Sequence, residues 1–254
     1  AAGTNYLGPI TGATSYAPWF ACYVTTSDTW VANFGQQPFK YTIPTGFKTI
    51  CSTNLSTPTI GATATTQANK YFDITLYDGN MTARSITNSG SMQPDLIWFK
   101  CRSYAYDGSL WNSIRGVGST QIPRTTGAQI TSITDALTSF NSNGFSLGVD
   151  VNGLVNDASP TKTYVAWQWN AGGANTTNTS GTVTSIVRAN QTAGFSVVQY
   201  TGNATGGATV GHGLGATPKM IIVKPVSSTG NWIVYHSSLG NTKSLYLQST
   251  AAVN

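Results

Sequence analysis

Few side chains in this sequence are suited to proton transfer near neutral pH. His212 and His236 are the two histidines, and the eight acidic residues are all Asp. Hydrolysis of a glycosidic bond needs two carboxyl groups that face each other across that bond. The Asp residues stand mostly beside Gly, Asn or Thr, in segments typical of turns. The sequence therefore predicts no catalytic residue, and a glycan-cleaving enzyme is the least favoured class of function.

The usual patterns of metal, redox and phosphate sites are missing from the sequence as well. Cys22, Cys51 and Cys101 lie far apart, without the Cys-x-x-Cys spacing of zinc and redox sites. The segment VGHGLG from Val210 lacks the Gly-Lys-Ser/Thr ending of a phosphate-binding loop, and a tight turn between strands explains its glycines. We therefore expect neither a metal site nor a cofactor.

Aromatic side chains are better candidates for binding. In a lectin-like site a ring stacks on the apolar face of a sugar, while amide and backbone groups hydrogen-bond the hydroxyls. Two tryptophans have Asn, Ser or Gly close by in the sequence, which places them near loops. The alternative is that these rings fill the core. The predicted binding residues are Trp111, Asn112, Asn231, Trp232, Tyr235 and His236.

The elements that must position these residues are short strands. Apolar or alternating runs of strand length, such as TYVAWQW from Thr163 and KMIIVK from Lys219, are separated by Gly, Asn, Pro and Ser. This pattern predicts an all-β protein of tandem antiparallel β-sandwiches, of the concanavalin-like or jelly-roll type. The segment ITSITDALTSF from Ile130 has apolar residues three and four positions apart, so a short helix or a loop is expected there.

An internal repeat links two parts of the chain. Residues 72–80 align with residues 195–203 at an offset of 123, and after a one-residue insertion the match resumes at an offset of 124. At the second offset Trp111 aligns with Tyr235. Order, spacing and residue character agree over about 45 positions, which predicts two copies of one structural unit.

The repeat also bears on the histidines. His212 corresponds to Asn88 in the first copy, and His236 corresponds to Asn112. An exchange of His for Asn keeps a hydrogen-bonding side chain but loses the titrating ring. A role in pinning turns or strands is therefore favoured over catalysis for both histidines.

Four segments follow from the repeat. Residues 1–60 match neither copy, residues 69–170 hold the first copy, residues 171–194 are polar and linker-like, and residues 195–254 hold a second copy that lacks the later strands. A sandwich without some of its strands has unpaired edges and an open core. We therefore expect that the natural polypeptide continues beyond Asn254, or that another chain completes the unit.

Charge and composition limit the classes of partner that the protein is expected to bind. The 13 Lys and Arg residues are spread singly and leave a net charge of +5, which does not favour a nucleic-acid partner. The longest aliphatic run, residues 221–223, is far too short to span a membrane. Thr and Ser, 39 and 25 residues, must cover much of the surface. Such an uncharged surface suits side-by-side packing of subunits, so we expect a homo-oligomer.

Two stretches near the N-terminus resemble a known family. The strings NFGQQPFKYTIPTGF from Asn33 and CSTNLSTPTI from Cys51 are similar to the C-terminal end of a SPRY-type, concanavalin-like β-sandwich. In that family an Asn-Phe-Gly-Gln-x-Pro-Phe strand leads to a Gly-Phe turn and an Asn-Leu-Pro-x-Pro finish, and Ser56 stands where Pro is common. The resemblance implies that residues 1–60 are the C-terminal part of such a domain, without its first half.

The duplicated part resembles a domain that recurs in structural and tail-fibre-like proteins of tailed bacteriophages, especially marine and cyanobacterial ones. This resemblance rests on six strings: PDLIWFK from Pro94, NSNGFSLG from Asn141, YVAWQW from Tyr164, GFSVVQYTGN from Gly194, VGHGLGATPKMIIVK from Val210 and NWIVYHSSLG from Asn231.

The second resemblance implies a non-enzymatic protein of the virion, outside the cell. It would be a tail fibre or tail appendage that builds a shaft or presents a surface to host glycans. Its partners would be further copies of itself, other virion proteins and host-surface glycans. The alternative is a secreted lectin-like adhesive module or a subunit of an extracellular filament, and a hydrolytic tailspike enzyme is a third class.

Overall fold

The computed structural model describes residues 60–61 and 63–251, together with the single residues Thr42 and Thr45. Contacts within the chain separate two units, Ala1–Ser56 and Thr57–Asn254, and every strand named below belongs to the second unit. The predicted SPRY-type segment, residues 1–60, lies outside the described residues apart from Thr42, Thr45 and Ile60.

Strands dominate the part of the chain that the structure describes, which has one short 3-10 turn at Ala68–Lys70. All paired strands are antiparallel, so the predicted all-β class is confirmed, while the concanavalin-like type stays a prediction. The strands are β1 (Phe72–Asp78), β2 (Arg84–Thr87), β3 (Leu96–Cys101), β4 (Ser109–Asn112), β5 (Ser119–Thr120), β6 (Ile130–Thr131), β7 (Leu137–Asn141), β8 (Gly144–Leu147), β9 (Thr163–Trp169), β10 (Thr176–Asn178), β11 (Ser185–Asn190), β12 (Phe195–Tyr200), β13 (Met220–Val223), β14 (Ile233–His236) and β15 (Leu245–Tyr246).

The first copy of the repeat forms two layers of sheet. One sheet has the strand order β1-β9-β3-β4 and the other has the order β2-β8-β7. Apolar side chains from both sheets and their connections form one buried core, as expected when two sheets pack face to face. The buried members of this core are Ile97, Phe99, Trp111, Ile133, Ala136, Leu137, Phe145, Leu147, Val155 and Ala166.

Strand β9 lies between β1 and β3 and has two different faces. Tyr164, Ala166 and Gln168 point toward the core and are fully buried. The amide of Gln168 is satisfied there, because its Nε2 donates to Thr75 Oγ1 at 2.8 Å and its Oε1 accepts from Asn88 Nδ2 at 3.1 Å. Trp167 and Trp169 point the other way, as the alternation TYVAWQW predicts.

The second copy repeats one hairpin of the first. Strands β3 and β4 place Leu96 opposite Asn112, whereas β13 and β14 place Met220 opposite His236. Both residue numbers are shifted by 124, so the hairpin has the same register in both copies. The second hairpin belongs to a separate three-stranded sheet, β13-β14-β15.

The structure replaces the predicted linker, residues 171–194, with two strands. Strands β10 and β11 pair with each other and with β12 to form a three-stranded sheet. The prediction of a linker was based on polar composition, but a sheet with one solvated face accepts Thr and Asn on that face. The few apolar residues of the segment decide its fold, since Val183 and Val187 are buried.

The segment from Ile130, predicted as a helix or a loop, contains strand residues instead. It holds β6 and the start of β7, which pairs with β8. Ile133 and Leu137 are buried in the core even though no helix forms. The spacing of apolar residues was therefore a correct sign of burial, while the β-hairpin that follows determined the backbone conformation.

Candidate functional site

The two tryptophans of the predicted binding set are inside the protein. Trp111 is fully buried, and its indole N–H donates to Ser109 Oγ at 3.1 Å. Trp232 is 3 % exposed, and its indole N–H donates to the Thr125 carbonyl at 3.0 Å. Neither ring can stack on a ligand in this conformation, because tertiary packing, not the polar neighbours in the sequence, sets its exposure. Both rings therefore pack inside the protein, which is the alternative that the sequence left open.

The polar members of the predicted set make local hydrogen bonds. Asn112 Oδ1 accepts from the Arg115 backbone N–H at 3.0 Å, and His236 Nδ1 accepts from the Ser238 backbone N–H at 3.2 Å. These equivalent residues of the two copies both pin the turn that follows their strand. His212 Nδ1 likewise accepts from the Leu214 backbone N–H at 3.2 Å.

The two remaining members do not form a site with the others. Asn231 is exposed and accepts from Gln248 Nε2 at 2.8 Å, and Tyr235 is partly buried on β14. Trp111 and Asn112 lie on β4, whereas Tyr235 and His236 lie on β14 in another sheet. The structure therefore does not bring the six predicted residues together.

A different group of aromatic and aliphatic residues covers the side of the four-stranded sheet that faces away from the core. The ladders align Ile74, Trp167 and Trp98 in one row across β1, β9 and β3, and they align Phe72 and Trp169 two residues further along. We call this surface the outer aromatic face and define it by Phe72, Ile74, Leu76, Trp98, Trp167 and Trp169.

Strand β1 contributes three of the six apolar residues of this face. Its residues Phe72, Ile74 and Leu76 are 36, 50 and 58 % exposed, while Asp73 on the opposite side is buried. The Asp73 carboxylate is held by the Ser89 hydroxyl at 2.8 Å and the Gly90 backbone N–H at 2.9 Å. These hydrogen bonds satisfy a buried charge, so the apolar side of β1 is left facing outward.

The rings of this face pack edge to face or tilted, as aromatic pairs prefer. The centroids of Trp98 and Trp167 are 6.2 Å apart with planes at 70°. The centroids of Phe72 and Trp169 are 4.9 Å apart at 49°. The rings are therefore held by one another and by the rigid sheet below them, which gives a preformed surface.

A groove of about 350 Å³ lies next to this face. Tyr71, Phe72 and Trp169 line one part of it, and Ala193 to Phe195 line another. The Phe195 ring stacks on Trp169 with a centroid distance of 6.1 Å. Apart from Tyr71, the lining side chains are apolar, so the groove offers ring faces but few polar side chains to a ligand.

Charge is scarce on the outer aromatic face. Lys100 lies on the same side of β3 as Trp98, but its ammonium group donates to the Tyr106 carbonyl. The nearest acidic residue of β1 that points outward, Asp78, is at the end of the strand. The face therefore presents apolar surface with its cation already hydrogen-bonded.

An ionic cluster lies beside the loop that precedes β9. Lys162 Nζ donates to Asp157 Oδ2 at 2.7 Å and to the Ser159 carbonyl at 2.8 Å, and the Tyr106 hydroxyl donates to Asp157 Oδ2 at 2.9 Å. The hydrogen bond from Lys162, followed by the one from the Ser159 N–H, lowers the pKa of Asp157 to about 2. The hydrogen bond to Asp157 raises the pKa of Lys162. Both groups are thus held in their charged forms at neutral pH, which suits an anchor better than a proton shuttle.

The two most deeply buried carboxylates are also occupied by structural hydrogen bonds. Asp95 accepts from the Ser113 hydroxyl, the Ala171 N–H and Arg188 Nη1 at 2.8, 2.8 and 2.5 Å. Asp150 accepts from three successive backbone N–H groups, those of residues 154–156, and its burial raises its pKa. Asp95 joins the first copy to β11, and Asp150 closes its own loop.

Metal-binding clusters and membrane-spanning helices are both absent from residues 60–61 and 63–251, with Thr42 and Thr45. Among them, no cluster of three or more His, Cys, Asp or Glu residues is placed to hold a metal ion. No helix in this part of the chain has the length and apolar character needed to cross a membrane.

Comparison with known proteins identifies the family of this chain. The family described as "Domain of unknown function (DUF7483)" matches residues 67–254, a range that takes in both copies of the repeat. The chain belongs to this family. No curated protein and no solved structure matches the chain.

The outer aromatic face was missed by the sequence analysis, although a signal for it was present. The strand FDITLYD places Phe72, Ile74 and Leu76 on one side and Asp73 on the other, which normally marks the apolar side as the one facing the core. The paired alternation of β9 put Trp167 and Trp169 on one face. Only the ladder between β1 and β9 shows that these two apolar sides coincide and point outward.

Proposed function

We propose that this protein is a structural subunit of a tailed-phage virion, a tail fibre or related appendage, that assembles through its outer aromatic face. The supporting observation is the pair of exposed aliphatic side chains, Ile74 and Leu76, beside the rings of Trp98 and Trp167. An apolar patch on a rigid sheet marks an interaction surface. Because the face carries almost no charge, its natural occupant is equally uncharged, and a second copy of the same face has that property.

The test is the oligomeric state of the full chain. Leu76→Lys places a charge on the proposed contact, on the edge strand β1, at a side chain that is 58 % exposed. We expect the wild type to sediment as an oligomer and the variant to sediment as a monomer at the same concentration.

Thr138→Lys is the matched control, because Thr138 is an exposed residue of β7 in the other sheet. This variant should keep the oligomer, and circular dichroism should show the same strand content for all three proteins. A wild type that stays monomeric at high concentration, or an oligomer that Leu76→Lys leaves intact, would contradict the proposal.

The groove beside the face favours a second candidate, binding of a host-surface glycan. Its rings, Phe72, Trp169 and Phe195, could stack on the apolar faces of sugar residues. We expect Phe72→Ala to weaken binding to host polysaccharide by roughly fivefold or more, since one aromatic contact contributes about 0.5–1.5 kcal/mol beyond its buried area. Calorimetric titration measures this, and Val149→Ala, an exposed aliphatic residue elsewhere, should have no effect.

A secreted lectin-like adhesive module or a subunit of an extracellular filament would use the same face. The phage virion and the secreted module are distinguished by the gene and its neighbours, not by this surface. Neighbouring capsid or tail genes support the virion, whereas secretion or sorting signals in the full-length gene support the secreted module.

A hydrolytic tailspike would release reducing sugar from host polysaccharide, and one Asp→Asn change would abolish that release.

A further inference from the structure

Two exposed side chains of opposite charge, Asp78 and Arg102, lie at one end of the outer aromatic face. Asp78 is the last residue of β1 and lies opposite Thr163 of β9. Arg102 directly follows β3, and its backbone N–H donates to the Thr163 carbonyl at 2.7 Å, so the ladder continues to this residue. Alternation along the strands places both charged side chains on the same side of the sheet as Leu76 and Trp98.

Within residues 60–61 and 63–251, neither of these charges has a partner of opposite sign, because the salt bridges there are formed by other residues. Thr163 separates Asp78 from Arg102, so their backbones are two strand spacings, about 10 Å, apart. Arg84 donates to the backbone carbonyl of Asp78, and its guanidinium lies over the Tyr77 ring on the opposite side of β1. The carboxylate of Asp78 and the guanidinium of Arg102 are therefore open to a partner.

Charges and rings occupy different rows of this side of the sheet. Each row holds one residue of β1, one of β9 and one of the β3 strand or its extension, with the β9 residue in the middle. From the charged end, the rows are Asp78, Thr163 and Arg102; Leu76, Val165 and Lys100; Ile74, Trp167 and Trp98; and Phe72, Trp169 and Leu96. The open charges lie in the first row and the aromatic rings in the last two.

Two copies of this sheet can stack face to face, with their strands aligned, about a two-fold axis of either direction. An axis parallel to β9 keeps the rows in register and places β1 of one copy over β3 of the other. Asp78 then faces Arg102 of the second copy, and the contact is reciprocal. An axis perpendicular to the strands reverses the rows and places Asp78 over Phe72 and Arg102 over Leu96. That arrangement leaves both charges against apolar side chains, which is costly.

We propose that Asp78 and Arg102 are the recognition pair of this contact. They select a second copy of the same chain, stacked about a two-fold axis parallel to β9, and form two equivalent ion pairs with it. This inference rests on the proposed assembly through the outer aromatic face. The apolar rows provide the affinity, whereas exposed ion pairs add little to it and mainly exclude the reversed arrangement and partners with another charge pattern.

Exchange of the two charges tests the pairing. Asp78→Arg brings arginines together across the contact, and Arg102→Asp brings aspartates together. Each single variant should weaken self-association about tenfold at low salt, because like charges then face each other twice. In the double variant, Asp78→Arg with Arg102→Asp, opposite charges face each other again, so the dissociation constant should return to that of the wild type. Sedimentation of the full chain over a range of concentrations measures this constant.

Two controls separate the pairing from other effects of charge. The two single variants change the net charge in opposite directions, so general repulsion between copies cannot weaken both. Thr138→Arg adds a charge at an exposed residue of β7, in the other sheet, and should leave the dissociation constant unchanged. Circular dichroism should show the same strand content for every variant.

The outcomes distinguish this inference from the proposed function. Single variants that associate like the wild type, or a double variant that associates no better than the single ones, would overturn the two-fold arrangement while the oligomer and the proposed function stand. A wild type that stays monomeric would overturn the proposed function and this inference with it.

Discussion

The ammonium group of Lys162 is almost enclosed by its neighbours. Its side chain is 3 % exposed, and the Asp157 carboxylate, the Ser159 carbonyl and the Tyr104 and Tyr106 rings surround it, each ring centroid 5.2 Å away. The charge is thus satisfied by one carboxylate, one carbonyl and two π-faces. Removal of one partner leaves a buried charge uncompensated, so this cluster anchors the loop before β9 to the one after β3.

The cluster predicts a pH dependence of stability. The pKa of Asp157 is about 2 in the folded protein, mainly because Lys162 donates to it, and this is below the ordinary value of 3.8 for an aspartate. The pair therefore stabilises the fold above pH 4, and the contribution is lost as the pH falls toward 2. In urea denaturation, the difference in free energy of unfolding between wild type and Asp157→Asn should shrink over this pH range.

Lys162→Gln removes the group that lowers the pKa of Asp157 most and should reduce the same pH dependence, while the hydrogen bonds from the Ser159 N–H and the Tyr106 hydroxyl remain. A stability difference between wild type and Asp157→Asn that stays constant from pH 5 to pH 2 would show that the ion pair does not act in this way.

At the scale of elements, the turn between β7 and β8 depends on one glycine. Gly144 has φ +146°, and a Cβ built on it would lie 2.1 Å from the Ile86 carbonyl of β2. Strand β2 approaches β8 closely here because Thr87 pairs directly with Gly144. Only a residue without a side chain allows both the backbone conformation and this approach.

Gly144→Ala should therefore destabilise the first copy by more than the 1–3 kcal/mol or so of backbone strain alone. Gly116→Ala is the matched control, because Gly116 also has positive φ, +78°, but a Cβ there meets nothing within 4 Å. Denaturant titration of the two variants measures the difference. Equal losses of stability would mean that the contact with β2 is unimportant.

At the scale of the whole molecule, few ion pairs hold the fold. Within residues 60–61 and 63–251 the salt bridges are Arg124–Asp107, Lys162–Asp157 and Arg188–Asp95, and the last two are largely shielded from solvent. Screening by salt weakens mainly exposed charges. Hydrophobic contact and backbone hydrogen bonds, which salt hardly screens, therefore carry the stability and any assembly.

We expect the thermal midpoint and the oligomeric state to change little as NaCl rises from about 50 mM to 500 mM, a range over which the Debye length shortens about threefold. Differential scanning calorimetry and sedimentation at both salt concentrations measure these quantities. Dissociation of the oligomer at the higher concentration would show that charged contacts hold it together.

The strand pattern and the repeat were readable from sequence because they depend on short-range properties. Alternation in TYVAWQW predicted the two faces of β9, and the 124-residue offset predicted which hairpins correspond. The polar segment 171–194 was misjudged because its strands form by pairing with β12, a long-range contact that composition does not reveal.

The sequence by itself determined the class of fold, the repeat and the scarcity of charge, because these follow from residue type, periodicity and count. Only the tertiary structure decided which apolar side chains are exposed. Trp111 and Trp232 have polar neighbours in the sequence yet are buried, while Phe72, Ile74 and Leu76 face outward because Asp73 is hydrogen-bonded on the inner side of β1. Exposure depends on which sheet covers a strand, and strands that cover each other lie far apart along the chain.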